Sequence, residues 1–313
     1  MTPIALATYR KGSSLLPALV INSQLYDLAA ALGAGLPTPK PAWIADGIAS
    51  VVANWPDAAP WVREVANRAG ELVAAHKVAS VPNGRALVAA PIRPERIFCA
   101  ASNYVEHANE MGTVLAAKSE SKPYMFLKLR NTVIGTGEDI RMPPETRQLD
   151  WEIELAAVIG KRCRRIAVDD ALGAIAGYTI VNDISARDLN VRGDYPFKFD
   201  WFQGKCHDTF APLGPWIVPS WQIPDPQAVD LRLDVNGTAM QEDSTRNMIW
   251  TVREQIAYLS TIVTLEPGDV VATGTPTGVG MGRGIYLKDG DAITATIRGI
   301  GKLENRVVAE RLA

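Results

Sequence analysis

The sequence predicts a β-rich α+β fold with two parts, a small N-terminal α+β domain and a larger domain built mainly from strands. From Ile97 onward, short apolar runs alternate with Gly and Pro turns, and helical patterns are few. Strands that do not alternate regularly with helices do not favour a doubly wound parallel sheet. Pro-punctuated segments near residues 81 and 90 place the domain boundary, which gives domains 1–90 and 91–313.

The N-terminal part combines a hairpin with helices. Residues 18–26 show two short apolar runs around a turn, and a short helix is expected from Leu28. Residues 33–41 are rich in Gly and Pro and predict a loop, whereas residues 60–77 predict an amphipathic helix. The apolar positions of that helix are Val62, Val65, Ala69 and Leu72.

The larger part is expected to hold short strands and two helices. The helices are predicted over residues 169–175, where two aspartates begin the first turn, and over residues 250–263. The predicted strands are Tyr124–Leu129, Trp151–Ile159, Ala176–Val181, Leu231–Val235, Asp269–Thr273 and Ala292–Ile297.

Bulk properties fit a cytoplasmic protein and do not call for a nucleic-acid or membrane partner. The chain has 313 residues, 47% of them hydrophobic, and a net charge of −2, so nothing points to nucleic acid or an anionic membrane. No apolar run is long enough to cross a bilayer, and the N-terminus lacks a signal-peptide pattern. The three cysteines are widely spaced, which fits a reducing compartment.

Two carboxylates two residues apart are the most informative feature of the chain. Glu152 and Glu154 lie on a predicted strand, so their side chains point the same way. Like charges at that distance repel, which a shared proton or a bound cation relieves. Asp183 ends another apolar strand and could complete a set of hard oxygen ligands for Mg²⁺, Mn²⁺ or Ca²⁺. A solvated strand face is the alternative.

A histidine and a glutamate three residues apart could serve acid–base chemistry. In a helical turn, His107 and Glu110 are neighbours, and the carboxylate would orient the imidazole to accept a proton from water. A surface His–Glu pair is the alternative. The small, polar segment 113–122 that follows is either a mobile lid or a loose loop.

Two lysines and a glycine-rich loop have both functional and structural interpretations. Lys128 lies in an apolar strand, where it needs a carboxylate partner or must reach the surface. Lys205 follows a glycine between aromatic residues. Residues 273–280 (TGTPTGVG) could approach an anion with their backbone N–H groups, although a turn-rich hairpin is the simpler interpretation. No Gly-x-Ser-x-Gly motif or other nucleophile motif indicates covalent catalysis.

Taken in order, these pieces resemble the fumarylacetoacetate hydrolase family over roughly residues 90–310. Each segment is weak alone, and the ordered set is specific. The segments are Asn103-Tyr-x-x-His107, Phe126-Leu-Lys128, Asp150-x-Glu152-x-Glu154, Gly177-Tyr-Thr-x-x-Asn-Asp183-x-Ser-Ala-Arg-Asp188, Gly204-Lys205, Asn236-Gly237, Leu265-Glu-Pro-Gly-Asp269 and Thr273-Gly-Thr-Pro-x-Gly-Val-Gly280. The N-terminal segment resembles the accessory domain that often precedes this catalytic domain.

The resemblance implies a mixed β-sandwich roll as the catalytic domain, usually in a homodimer, with a divalent metal that is commonly Mg²⁺. It implies that the metal is held by Glu152, Glu154 and Asp183, and that His107 with Glu110 activates water. It also implies substrate contacts or oxygen polarisation by a further set of residues. These are Lys128, Arg187, Lys205 and Thr275, with Asn190 at a position where the family often has Gln.

The function that follows is hydrolysis of a C–C bond in a 2,4-dioxo acid, such as an acylpyruvate or fumarylpyruvate, through a metal-stabilised enolate. A decarboxylase, isomerase or hydratase acting on oxaloacetate-like or 2-oxo-dienoate acids would use the same enolate, and the fold cannot choose among them. The His–Glu pair favours the hydrolase, since a decarboxylase needs it less. A metal-stabilised binding module without turnover is the non-enzymatic alternative.

Overall fold

The computed structural model describes residues 3–33, 43, 46–75, 78–112 and 114–311. Of the predicted loop 33–41, only Gly33 therefore belongs to the described residues. Residues 76 and 77, at the end of the predicted helix, also lie outside them. None of the helices described in these ranges is long and apolar enough to cross a membrane.

The chain is dominated by strands. They are β1 (Ile4–Lys11), β2 (Ser14–Ile21), β3 (Gln24–Asp27), β4 (Val88–Ala89), β5 (Arg96–Ala101), β6 (Tyr124–Leu129), β7 (Val133–Ile134), β8 (Asp139–Met142), β9 (Leu149–Asp150), β10 (Ile153–Ile159), β11 (Ile175–Asn182), β12 (Ser185–Ala186), β13 (Ala211–Pro219), β14 (Asp230–Val235), β15 (Thr238–Ser244), β16 (Val270–Ala272), β17 (Ala292–Ile297) and β18 (Gly301–Ala309). The α-helices are α1 (Leu28–Gly33), α2 (Ile48–Ala53), α3 (Trp55–Ala74), α4 (Val105–Glu110), α5 (Trp201–Lys205), α6 (Val252–Ile262) and α7 (Gly280–Arg283).

Most predicted elements are present with shifted ends. The strands predicted at Tyr124–Leu129 and Ala292–Ile297 have the predicted bounds. The helix predicted over 169–175 is a 3₁₀ helix, Val168–Ala174. Helix α6 begins two residues later than predicted because the Thr251 side chain caps it, with Glu254 bonding back to the cap.

The larger sheet runs through both parts of the chain. Its strand order is β3-β2-β1-β13-β11-β10-β16-β5-β6, with β4 beside β1 and β7 beside β13. Strand β1 pairs antiparallel with β13, and β16 pairs parallel with β5, so the sheet is mixed. The N-terminal hairpin therefore extends the sheet that carries residues 96–219. The division into domains at residue 90 stays a prediction.

The molecule is layered, with a hydrophobic core on each face of the larger sheet. A second sheet, ordered β15-β14-β17-β18-β8, packs on one face, where Leu155 meets Leu233 and Ile293 in one core. On the opposite face Trp55 and Val62 of α3 join a second core. Both faces of the larger sheet are buried in this way, and the fold is the β-rich α+β sandwich expected from the sequence.

Alternation along strand β10 determines which face of the sheet Glu154 occupies. Leu155 and Ala157 point into the core between the sheets, and Ala156 and Val158 point into the helix-covered core. Glu154 therefore shares the face of Ala156, at the end where the strand begins.

Candidate active site and metal centre

Three carboxylates meet where β10 begins and β11 ends. Glu154 pairs in register with Val181, so Asp183, two residues further on, shares its face of the sheet. Glu152 immediately precedes β10, and its carbonyl accepts the backbone N–H of Asp183 at 2.8 Å. One oxygen from each carboxylate lies within 4.8 Å of the others, and all three side chains are buried. These carboxylates do not lie on a solvated strand face.

Three buried cations surround the carboxylates. The Lys205 ammonium donates to Glu152 Oε2 at 2.5 Å and to Asp183 Oδ2 at 2.7 Å. The Lys128 ammonium donates to Asp183 Oδ1 at 2.5 Å and to the Ile184 carbonyl at 3.0 Å. Lys128 is 1% exposed, so the surface-facing alternative is wrong.

The Arg187 guanidinium bridges Glu152 and a further carboxylate, that of Asp150. Its Nε donates to Asp150 Oδ2 at 2.8 Å, and its Nη2 donates to Glu152 Oε1 at 2.5 Å. The arginine is thus shared by two buried acids, which fixes both carboxylates and the guanidinium plane.

The neighbouring charges drive the pKa values of the two glutamates apart. Burial alone would raise the pKa of Glu152, but Arg187 and Lys205 outweigh it and hold that pKa far below its ordinary value. Burial raises the pKa of Glu154 well above its ordinary value, and the charges of Asp183 and Glu152 raise it further. The only direct donor to Glu154 among the described residues is the backbone N–H of Gly274, at 2.7 Å.

This donor set fits a hard divalent cation. Oxygens that share one Mg²⁺, Mn²⁺ or Ca²⁺ ion at about 2.0–2.6 Å lie at most about 5 Å apart, as these three do. Four buried carboxylates, including Asp150, face three buried cations, and the unmatched acid is Glu154. A cation held by Glu152, Glu154 and Asp183 would relieve the repulsion that raises the pKa of Glu154.

His107 and Glu110 form a pair at the end of α4. The imidazole Nδ1 lies 2.9 Å from Glu110 Oε1, and His107 is buried. Burial raises the pKa of Glu110, but hydrogen bonds from His107, Gly278 and Thr277 bring it below its ordinary value, so the carboxylate is ionised. An ionised carboxylate only accepts hydrogen bonds, so Nδ1 carries the proton and Nε2 is the basic atom.

The glycine-rich loop 273–280 binds carboxylates of the protein itself. Besides the Gly274 contact, the Gly278 N–H donates to both Glu110 oxygens at 3.0 and 2.9 Å, and the Gly280 N–H donates to Asp150 at 2.6 Å. The loop leads from β16 into α7, so the hairpin interpretation is wrong. A side chain at Gly278 would collide with the Met240 carbonyl, and its φ of +100° favours glycine.

A cavity of about 940 Å³ opens onto this cluster. The predicted site residues line it, with the exception of Glu110 and Lys128, which lie behind His107 and Asp183. Asn190 lines the cavity, and its Oδ1 is buried without a hydrogen-bond partner among the described residues. The Thr275 hydroxyl donates to the Ile153 carbonyl at 2.9 Å, so its proton is already committed.

Asp150 is the functional residue to which sequence reasoning gave no role. It is fully buried and accepts from Arg187, from Gly280 N and from Met281 N, the last at 3.0 Å. Its place two residues before Glu152 was the available signal, because every second residue of an extended segment shares a face.

Comparisons with known proteins identify the family of this chain. A family model described as fumarylacetoacetate (FAA) hydrolase C-terminal matches residues 96–308. The chain is 37% identical to oxaloacetate tautomerase Fahd2a, mitochondrial, of Rattus norvegicus, over 73% of this chain and 71% of the relative. It is 39% identical to 2,4-didehydro-3-deoxy-L-rhamnonate hydrolase of a Sphingomonas species, over 74% of this chain and 80% of the relative.

Solved structures extend the likeness to nearly the whole chain. A fumarylacetoacetate hydrolase from Exiguobacterium antarcticum superposes with a TM-score of 0.77 at 30% identity, over 98% of this chain and 100% of the other. Fumarylpyruvate hydrolase from Pseudomonas aeruginosa, solved with Mn²⁺ and pyruvate, has a TM-score of 0.62 at 34% identity, over 71% of this chain and 91% of the other.

Proposed function

The chain belongs to the fumarylacetoacetate hydrolase family, and we propose that it is a divalent-metal-dependent hydrolase that cleaves the C3–C4 bond of a 2,4-dioxo acid. The observation that carries this proposal is the His107–Glu110 pair beside the three carboxylates. His107 lines the same cavity as Glu152 and lies close enough to influence its pKa. A base of this kind is needed to activate water.

The metal of this site is proposed to be Mg²⁺, held by Glu152, Glu154 and Asp183, and Mn²⁺ suits the same oxygens. Bound there, the cation would supply positive charge to the oxygens of a 2-oxo acid while negative charge develops on them. The fumarylpyruvate hydrolase from Pseudomonas aeruginosa, solved in complex with Mn²⁺ and pyruvate, supports this choice of cation class and of ligand.

The chain's own residues supply the proton transfers. His107 Nε2 takes a proton from water, and the hydroxide adds to the C4 carbonyl carbon. The C3–C4 bond then breaks, its electron pair passes to C3 as the enolate of pyruvate, and the imidazolium returns the proton to C3. The products are pyruvate and a carboxylic acid. Glu110 holds the productive tautomer and stabilises the imidazolium, and Lys205 is the candidate donor to the oxygen on C4.

Keto–enol tautomerisation of oxaloacetate is the second candidate, favoured by the name of the rat relative. It needs proton transfer at C3 by His107 and no water attack. Decarboxylase, isomerase and hydratase activities on related 2-oxo acids would draw on the same residues.

Loss of the enol absorbance of an acylpyruvate, measured with Mg²⁺ and with EDTA, tests the proposal. Parallel assays follow oxaloacetate tautomerisation and decarboxylation. Mg²⁺-dependent release of pyruvate from the acylpyruvate supports the hydrolase. Conversion of oxaloacetate alone would move the function to tautomerase or decarboxylase, and turnover that survives EDTA would refute the metal-dependent mechanism.

Three further features stay proposals. The family resemblance supports a homodimer and an N-terminal accessory domain ending at residue 90, both of which size measurements and limited proteolysis would test. The cytoplasm remains the predicted location, although the rat relative is named as mitochondrial.

A further inference from the structure

The candidate active-site cavity has a polar floor and an apolar mouth. Its floor is the carboxylate cluster with Lys205, all buried. A set of apolar residues lines its mouth, and we call this set the apolar mouth. It consists of Val105, Met111, Val114, Leu115, Ile249 and Trp250. These residues come from α4, from the segment after it and from the chain before α6.

The apolar mouth contributes little to the cores. Val114 is 96% exposed, Val105 54% and Leu115 40%, and none of the three belongs to either hydrophobic core. Apolar side chains left in water around a cavity mark a place where a ligand removes that surface from water. The mouth therefore suits a hydrocarbon group that extends outward from the polar floor.

The charges of the floor suit a substrate with one carboxylate. The four buried acids and three buried cations that bond to one another carry a net charge of −1, and the charge of Glu110 is held apart from them by His107, Thr277 and the Gly278 N–H. A divalent cation changes this to +1, which the single carboxylate of a 2-oxo acid balances. A second carboxylate on the substrate would need its own cation, because an unpaired charge is costly to bury.

The two lysines at the mouth do not supply that cation. Lys118 already lies 2.8 Å from a Glu254 oxygen and 4.9 Å from the centre of the Trp250 ring. Lys122 lines the cavity but is exposed, so it offers a second carboxylate only a charge that water screens. Among the described residues that line the cavity, the remaining cations are Lys205 and Arg187, and both are paired on the floor.

We infer that the preferred substrate is a 2,4-dioxo acid with one carboxylate and an uncharged, apolar tail that lies against the apolar mouth. This inference rests on the proposed function and narrows its substrate class. It separates this chain from enzymes whose substrates are dicarboxylates or are as short as oxaloacetate.

A matched pair of substrates tests the tail directly. Crotonoylpyruvate and fumarylpyruvate differ only in a terminal methyl or carboxylate, and we expect the methyl compound to have at least a tenfold higher kcat/KM. Along acetyl-, butanoyl- and hexanoylpyruvate, kcat/KM should rise roughly two- to fourfold per methylene. Preference for fumarylpyruvate, or a flat series, would overturn the inference while leaving hydrolase activity intact.

Variants test whether residues of the apolar mouth cause the preference for a long tail. The double variant Val114→Asn, Leu115→Asn should lower the ratio of kcat/KM for hexanoylpyruvate over acetylpyruvate by about tenfold. The matched control Ile262→Asn, at an exposed position at the end of α6 away from the cavity, should leave the ratio unchanged. A general lid defect would slow both substrates equally, and an unchanged ratio would overturn the inference.

Binding measurements test the tail preference without depending on turnover. Calorimetry with Mg²⁺ and 2-oxobutanoate, 2-oxohexanoate and 2-oxooctanoate should show affinity rising with tail length, and 2-oxoadipate should bind more weakly than 2-oxohexanoate. If no 2,4-dioxo acid is hydrolysed, the proposed function fails, yet this binding series still shows whether the site prefers an apolar tail. Stronger binding of 2-oxoadipate would refute the apolar preference.

Discussion

Replacing Glu110 by glutamine removes one charge from the His107 pair and one of the two hydrogen bonds from the Gly278 N–H. Glu110 Oε1 faces His107 Nδ1 at 2.9 Å, and Oε2 accepts from the Thr277 hydroxyl at 2.8 Å. In Glu110→Gln the amide oxygen can take the Oε1 place and keep both the Nδ1–H bond and a Gly278 N–H bond. The amide NH₂ then faces Thr277 Oγ1, which can accept instead, but the Gly278 N–H bond that Oε2 accepts at 2.9 Å is lost.

The expected loss of rate follows from this geometry. Because the tautomer is kept, the imidazolium loses only the extra strength of a charge-assisted bond, about 1.5–3 kcal/mol against 0.5–1.5 for a neutral bond. That difference of about 1–2 kcal/mol corresponds to roughly 5- to 30-fold in kcat. It is smaller than the 10²- to 10⁴-fold that loss of a whole general base costs, which is the expectation for His107→Ala.

Steady-state kinetics on an acylpyruvate at saturating Mg²⁺ checks this prediction. We expect a lower kcat, a KM within about twofold of the original, and unchanged Mg²⁺ affinity. Glu106→Gln is the matched control, since Glu106 is exposed on the same helix and loses the same charge. Undiminished kcat in Glu110→Gln, or an equal loss in Glu106→Gln, would refute the role of Glu110 in proton transfer.

Three further predictions concern the metal, a positioning acid and alkaline stability. Glu152→Ala should abolish both Mg²⁺ binding and turnover, whereas His107→Ala should bind Mg²⁺ normally in calorimetry and lose only rate. Asp150→Asn should lower kcat about 10- to 100-fold, because Arg187 loses a charged partner; an unchanged kcat would remove Asp150 from the site. Burial, with a hydrogen bond to Asp27, raises the pKa of Tyr9 to about 12. The stability linked to this raised pKa is complete below pH 10 and is lost as pH rises towards 12, so chemical denaturation of Tyr9→Phe should show a shallower loss.

The carboxylate cluster was predictable because it follows from local alternation and from the order of a few motifs. Glu152 and Glu154 needed only a strand period of two, and Asp183 needed only to end the neighbouring strand. A site could be expected without knowing that Glu154 lies opposite Val181 in the sheet. This register nevertheless determines the geometry of the site.

The partners of these residues were not predictable, because they lie far apart in sequence. Lys205 reaches back 53 residues to Glu152, and Gly278 contacts Glu110 across 168 residues. Composition suggested that the glycine-rich loop could approach a bound anion, but only the folded chain shows that its N–H groups face carboxylates of the protein. The pairing of β1 with β13 likewise depends on long-range packing rather than on local pattern.

One loop connects the parts of the site that the proposed reaction must coordinate. Residues 274–281 donate backbone N–H bonds to Glu154 of the carboxylate cluster, to Glu110 behind His107, and to Asp150 behind Arg187. Because each of these carboxylates acts on a different charged partner, a shift of the loop would change all of them together. At Gly278 the loop passes so close to the Met240 carbonyl that a side chain would collide with it. The shared backbone N–H bonds therefore explain how the proposed base and the proposed metal ligand Glu154 keep a fixed relation although they come from separate elements.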